Sequence, residues 1–437
     1  MKELLLIKDS LSNKISYYLV MLLLAALPFD QFYSHAIFGC LAVHTLIHLK
    51  KERLNQLLSP GTLLLQTVFF IALIGLTYTY YSADALTDIT RKLVVLLFPL
   101  FFALTSLNLN KYSDHFLKFF TLVCIATVTY LYIHAFTIIG YFHMPVRAII
   151  SANFINHNFS APIQMHATFF SLQVAIALFY LVLQFFKKQV AVAKLLYFFA
   201  AILLFAGLVQ LGSKSVLIAV LIGLNIIVPY FLLSANKRLK YILVSGAVSI
   251  LLFIGALSTA DFRTRYVTDL KNDLSVAKVN ETTDARLPRW TSAMPLIAKS
   301  PLVGYGTGSE LNVLGDQFYK QRLYNAYLNK LNAHNQYLSF LISSGVIGLV
   351  VYLVTLFWGF RIAFRQKDAT FFFFMLLIAI VSFSESLLNA EKGVFFYSLF
   401  FSFFVFSGQY QSIPFWFSQH KYLGGGATKR KIATSSL

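Results

Sequence analysis

The sequence predicts an all-α polytopic membrane protein. It has about 12 transmembrane helices and one large outer loop that is partly helical. Three observations predict this. Of the 437 residues, 58% are apolar and 12% are charged; a soluble domain is nearer a quarter charged. The apolar residues fall in runs close to the ~20 that a helix needs to cross hydrocarbon. The Lys and Arg residues sit between those runs, where topogenic charges belong. Such a chain is not an ordinary cytosolic enzyme, a disordered tail protein or a collagen-like fibre.

The runs lie at roughly 15–30, 32–49, 61–81, 86–107, 114–140, 166–186, 193–211, 215–234, 241–259, 336–360, 370–388 and 393–414. They are too long and too continuously apolar for barrel strands, so they read as helices. The first two are short and form a tight hairpin across Pro28 and Asp30. The first is a retained helix rather than a cleaved signal, because a second apolar run follows at once. The chain thus divides into helices 1–9 over 1–259, a large loop over 260–335, helices 10–12 over 336–414, and a tail over 415–437. Gly424-Gly425-Gly426 and Lys429-Arg430-Lys431 make that tail a flexible basic end near anionic headgroups.

The net charge of +19 raises the question of nucleic acid. No binding motif for it is present, and the placement of the charges argues for membrane lipid instead. With the N-terminus inside, 21 of the 36 Lys and Arg fall in cytoplasmic segments. Ten more lie in the long loop, whose charges orient weakly. Only Arg91, Lys92, Arg147, Lys214 and Lys392 occupy short outer segments. An even span count and this bias agree on two cytoplasmic termini.

Those five are the informative exceptions. A basic residue at the outer end of an apolar helix either snorkels to lipid phosphate or meets another anion. Arg91 and Lys92 open the fourth run. Lys214 has Ser213 and Ser215 on either side in a short turn, which makes it the best candidate for a shared anion. The loop adds Arg286 and Arg289 beside Trp290; Arg forks match phosphate oxygens in a bidentate way. Pro301-Leu-Val-Gly304-Tyr-Gly306-Thr-Gly308 follows, either an ordinary turn or a close backbone approach to a ligand. Where the loop re-enters the bilayer stand His334, Asn335 and Tyr337. His334 reads as a general base near neutral pH or as a hydrogen-bonded interfacial residue, with Asn335 orienting it or the substrate. Glu385, at the end of the eleventh run, pairs with one of the basic groups either for function or as a plain structural ion pair. Cys40 and Cys124 lie inside apolar runs and form no disulfide framework. No His, Asp and Glu grouping has metal-ligand spacing, and neither a metal nor a cofactor is expected.

Taken in order, Arg286-x-x-x-Trp290, the Pro301–Gly308 stretch, His334-Asn335-Gln336-Tyr337-Leu338 and Gly345-Val-Ile-Gly348 resemble the O-antigen ligase and polymerase superfamily. The Ser213-Lys214 turn upstream fits too, as does Thr168-Phe-Phe-Ser-Leu172 after His166. The resemblance covers roughly 160–400 in detail. It implies a bacterial inner-membrane glycosyltransferase whose large loop is periplasmic. Such enzymes move a glycan from undecaprenyl diphosphate to an acceptor, by metal-independent displacement with inversion. For ligases the acceptor is the lipid A-core oligosaccharide. For polymerases it is another lipid-linked glycan, and a third branch transfers to Ser or Thr of proteins.

Carried over by position, the resemblance makes Lys214, Arg286 and His334 the catalytic set. Arg289, Lys92, Arg91, Asn335, Trp290 and Tyr337 would then bind substrate. Lys214 departs from the family, which commonly has Arg there: it keeps the charge and loses the fork. Pro295 departs too, since it falls where a plain helix is usual. A flippase or transporter of lipid-linked oligosaccharides is the non-enzyme alternative. It too would have about twelve spans, but with repeated halves and charges near the midplane.

Overall fold

The computed structural model describes residues 2–187, 190–275 and 285–408. Lys188 and the basic tail at 415–437 lie outside them. Every regular element among the described residues is a helix. The main ones are α1 (Leu11–Ala26), α2 (Gln31–Ile47), α3 (Pro60–Leu76), α4 (Ser82–Leu104), α5 (Leu109–Tyr141), α6 (Ala167–Lys187) and α7 (Ala191–Leu211). Next come α8 (Lys214–Leu232) and α9 (Ala235–Leu257). Then α10 (Arg286–Lys299), α11 (Glu310–Lys320), α12 (Gln336–Gln366), α13 (Ala369–Val381) and α14 (Glu391–Ser407) complete the chain.

Six of the described helices, α5 to α9 and α12, are long and apolar enough to cross a bilayer. A seventh forms if the 3₁₀ turn Lys51–Leu58 is counted with α3, to which it is bent by 58°. Among the described residues, helix length and apolarity therefore support six or seven of the twelve expected crossings. At 16 and 13 residues, α1 and α13 are short, and α4 carries Asp84, Asp88, Arg91 and Lys92 in its first turns. The boundary at 370–388 also moves. α13 stops at Val381, where the Ser382, Ser384 and Glu385 amides turn back onto Ile378 and Val381 carbonyls. Glu385 thus stands in a loop beyond the helix.

Burial separates the helices by role. In α6, 83% of the apolar window is buried, so it is the central post of the bundle. In α9 none of it is buried, although its hydropathy is 2.0. An apolar helix with nothing of its own protein over it needs lipid around it.

The Pro301–Gly308 stretch docks backbone against backbone. Gly345 breaks α12 with φ 62° and ψ −161°. The freed helix groups find partners in the loop. Val346 N–H donates to Pro301 O (2.8 Å), and Tyr305 and Gly306 N–H donate to Ile342 O (2.9 Å) and Ser343 O (2.8 Å). Thr307 continues the strap to α3, donating from N to Gly75 O and from Oγ1 to Ala72 O. A Cβ on Gly304 or Gly345 would lie within 2.7 Å of opposing backbone. Of the two readings of this motif, the turn that locks the loop to the bundle is the one that forms. Irregular backbone inside a membrane protein survives only when paired in this way.

Behind the strap, Ala293, Leu296, Val313, Leu314 and Phe318 of the loop form a core with Ile342 of α12. α10 runs through Pro295 without ending.

Candidate active site

One end of the bundle gathers titratable residues from five separated segments. Gly212, left-handed at φ 64°, ends α7 and turns the chain so that Lys214 opens α8. The 260–273 segment brings Asp273. α10 begins at Arg286, and the loop after α13 brings Glu385. His334 stands just ahead of α12.

These five form one chain of contacts. A single oxygen, Asp273 Oδ2, lies 3.2 Å from Lys214 Nζ and 3.3 Å from Arg286 Nη1. Glu385 Oε1 lies 3.6 Å from Arg286 Nη2, and its Oε2 lies 3.2 Å from His334 Nδ1. This last pair has the spacing of an ion pair without the alignment of a hydrogen bond. Burial alone pushes the Glu385 carboxyl up. His334, Arg286 and His166 together outweigh it and hold the group below the usual carboxylate value.

Polar atoms left without partners gather at the same end. Arg286 Nε, Arg265 Nε and His166 Nδ1 are buried and make no hydrogen bond. Arg265 binds Asp269 (3.2 Å) and Gly212 O (3.4 Å), next to Lys214. The rings of His157 and His166 meet at 4.3 Å. Burial and then Arg265 push His157 down, against a smaller opposite pull from Glu385.

The three catalytic candidates named from the sequence therefore come together. The six substrate-binding candidates are placed differently. Arg289 is 3% exposed and donates to Ala285 O and Asn332 O. Trp290 Nε1 donates to Ala333 O at 2.9 Å. Asn335 caps α12, its Oδ1 accepting from Tyr337 and Leu338 N–H. Tyr337 reaches away to Ala379 O at 2.8 Å. Arg289, Trp290 and Asn335 thus hold the backbone on either side of His334, which is left-handed at φ 44°. Arg91 and Lys92 both pair with Asp88, on their own helix. Their shared carboxylate explains why basic residues are tolerated there, with no need of a substrate.

Asp273 was not singled out from the sequence, and neither was Glu310. Asp273 is one acid among seven in a polar loop, and only the fold shows that it faces two cations. Among the described residues no group of three or more His, Cys, Asp or Glu is placed to hold a metal.

An open groove of about 420 Å³ lies near this end, lined by Leu131, His134 and Ile138 of α5 and by Asn153, Asn158 and Pro162.

No curated protein matches the chain. The family model described as O-antigen ligase matches residues 199–353, about a third of the sequence. That stretch contains Lys214, Asp273, Arg286 and His334 but not Glu385. Over residues 199–353 the chain is thus similar to the O-antigen ligase family, which is generally of glycosyltransferase type.

Proposed function

We propose that the protein is an O-antigen ligase-type glycosyltransferase. It moves a glycan from undecaprenyl diphosphate to the lipid A-core oligosaccharide, on the periplasmic face of the inner membrane. One observation carries the reading: Lys214, Arg286 and His334, from three separate elements, are joined through Asp273 and Glu385. In this reading the chain crosses the membrane twelve times, with both termini cytoplasmic and the 260–335 loop periplasmic.

The chemistry follows from the contacts. His334 Nδ1 faces Glu385, so Nδ1 carries the proton and Nε2 is left to accept one. The contact tightens into a hydrogen-bonded ion pair as imidazolium develops, as catalytic contacts in empty sites commonly do. The acceptor hydroxyl gives its proton to Nε2 as its oxygen attacks the anomeric carbon. The carbon–oxygen bond to phosphate breaks on the opposite face, and its electron pair leaves with the diphosphate. Attack from behind inverts the anomeric centre. Lys214 and Arg286 hold the departing charge, a contribution of about 3–4 kcal/mol for one well-placed donor.

Asp273 has a definite part in this scheme. Its Oδ2 occupies the point between the two cations where a phosphoryl oxygen belongs. It acts as an internal counter-ion that the donor's diphosphate displaces. Polymerisation, with a second lipid-linked glycan as acceptor, and transfer to Ser or Thr of proteins use the same cations and base.

The test is reconstituted protein with one undecaprenyl-diphosphate glycan, offered separately to lipid A-core, to a second lipid-linked glycan and to a Ser/Thr-rich protein. Transfer to lipid A-core is the expected result. Transfer to either other acceptor alone replaces the ligase reading, and transfer to none removes the enzyme reading in favour of transport.

A further inference from the structure

We propose that Glu310 is a positioning residue for the His334–Glu385 pair, acting through Ala333 on one side and Asn389 on the other. The inference rests on the roles given above to His334 and Glu385.

Glu310 opens α11 and is 6% exposed. Its Oε1 accepts from the Ala333 N–H at 3.0 Å. Its Oε2 accepts from Asn389 Nδ2 at 2.8 Å and from the Ser339 hydroxyl. Asn389 Nδ2 also donates to Ser339 Oγ at 2.6 Å. Ala333 is the residue before His334. Asn389 ends the loop that carries Glu385, and Ser339 lies in the first turn of α12. One carboxylate therefore fastens together the three segments that hold the base and its partner.

His334 needs such fastening. A non-glycine residue at φ 44° is strained, and strain of this kind persists only where the surroundings over-determine it. The neighbouring groups do so. Ala333 N is held by Glu310, Ala333 O by Trp290, Asn332 O by Arg289, and His334 N by Asn332 Oδ1 at 2.9 Å.

The chemistry also explains a carboxylate at this place. Three donors converge on it, and an ionised carboxylate is an acceptor only. An amide would turn its own N–H₂ toward the Ser339 and Asn389 donors, leaving buried groups unpaired. Burial, helped slightly by Asp88, raises the Glu310 pKa, and Ser339, Ala333 and the nearby Lys92 offset it only in part.

The exchange Glu310→Gln with Asn389→Asp tests this. In the double variant the amide of residue 310 donates to the new carboxylate at 389. Ser339 accepts from 310 and donates to 389, and Ala333 N–H keeps its acceptor. Each single variant is expected to lose about 10- to 100-fold in turnover, as a small misplacement of a reacting group does. The donor KM should stay within about 3-fold, since Lys214 and Arg286 are untouched. The double variant should recover to within about 3-fold of wild type. Wild-type turnover in both single variants, or no recovery in the double, overturns the proposal.

A second readout does not depend on catalysis: the rate at which diethyl pyrocarbonate modifies His334, followed by mass spectrometry. The single variants should change that rate and the double variant should restore it. Equal rates in all four proteins overturn the positioning role. If the wild type transfers no glycan to any acceptor, the proposed function falls, while the modification rates still decide the positioning of His334.

Discussion

Replacing Asp273 by Asn should make the protein bind its donor more tightly. The carboxylate oxygen sits 3.2 Å from Lys214 Nζ and 3.3 Å from Arg286 Nη1, and a diphosphate must take its place. At 3.2 Å and an effective dielectric near 20, one such pair is worth about 5 kcal/mol before desolvation. Desolvation and solvent contact remove most of that, because the three side chains remain 17–25% exposed. A net competition of about 1–2 kcal/mol is reasonable, lying between exposed and fully buried pairs. Removing it should lower the apparent Kd for undecaprenyl diphosphate, or for inorganic pyrophosphate, by roughly 5- to 30-fold. Binding of either ligand to detergent-solubilised Asp273→Asn measures this directly, and added salt should shrink the difference. Unchanged or weaker binding would show that Asp273 orients Lys214 and Arg286 rather than competing with the donor. The role of internal counter-ion would then be wrong.

Other outcomes follow from the same contacts. Lys214→Arg should retain transfer, because a guanidinium keeps the charge and adds a fork. Lys214→Ala should lose about 10²-fold or more; equal rates for these two variants would take Lys214 out of the site. Gly345→Ala should lower the thermal midpoint sharply, since its Cβ would fall 2.3 Å from Leu302 backbone at a positive φ. Gly246→Ala on the uncovered α9, with nothing within 4 Å, serves as the unaffected control. A similar loss in both, or in neither, would refute the docking role of the 301–308 strap. The pH dependence of stability has a definite sign at His157. Its folded pKa lies below the ordinary value of 6.5, so the unfolded chain binds more protons. Stability from this group is full above pH 6.5 and falls as the pH drops below it. His157→Gln should flatten that acid slope, and a slope identical to wild type would contradict the burial argument.

Much of the fold was legible because lipid leaves few choices. The apolar runs of α5 to α9 and α12 announce themselves by length alone. Shorter helices blurred the reading. The run at 370–388 continues apolar past Val381, yet Ser382, Ser384 and Glu385 let the chain turn, and no periodicity marks that point. The site was half legible. Lys214, Arg286 and His334 stood out as cations and a possible base in the wrong places for topology, and the fold joins them. Their neighbours in sequence are placed differently for a single reason. Arg289, Trp290, Asn335 and Tyr337 look like ligand contacts, and each has a polar side-chain atom engaged with backbone. A short motif shows which residues are near the base, not which way each side chain turns. The acids Asp273, Glu310 and Glu385 act across large sequence separations, where spacing carries no signal.

The roles of His334 and Arg286 are tested most directly in proteoliposomes with a glycan on undecaprenyl diphosphate and a lipid A-core acceptor. Donor binding and product formation are measured side by side for wild type, His334→Ala and Arg286→Ala. Product is expected only with wild type, with donor affinity within about 3-fold of wild type for His334→Ala and lowered at least about 10-fold for Arg286→Ala. Product formed at the wild-type rate by His334→Ala, or donor bound normally by Arg286→Ala, would contradict these roles.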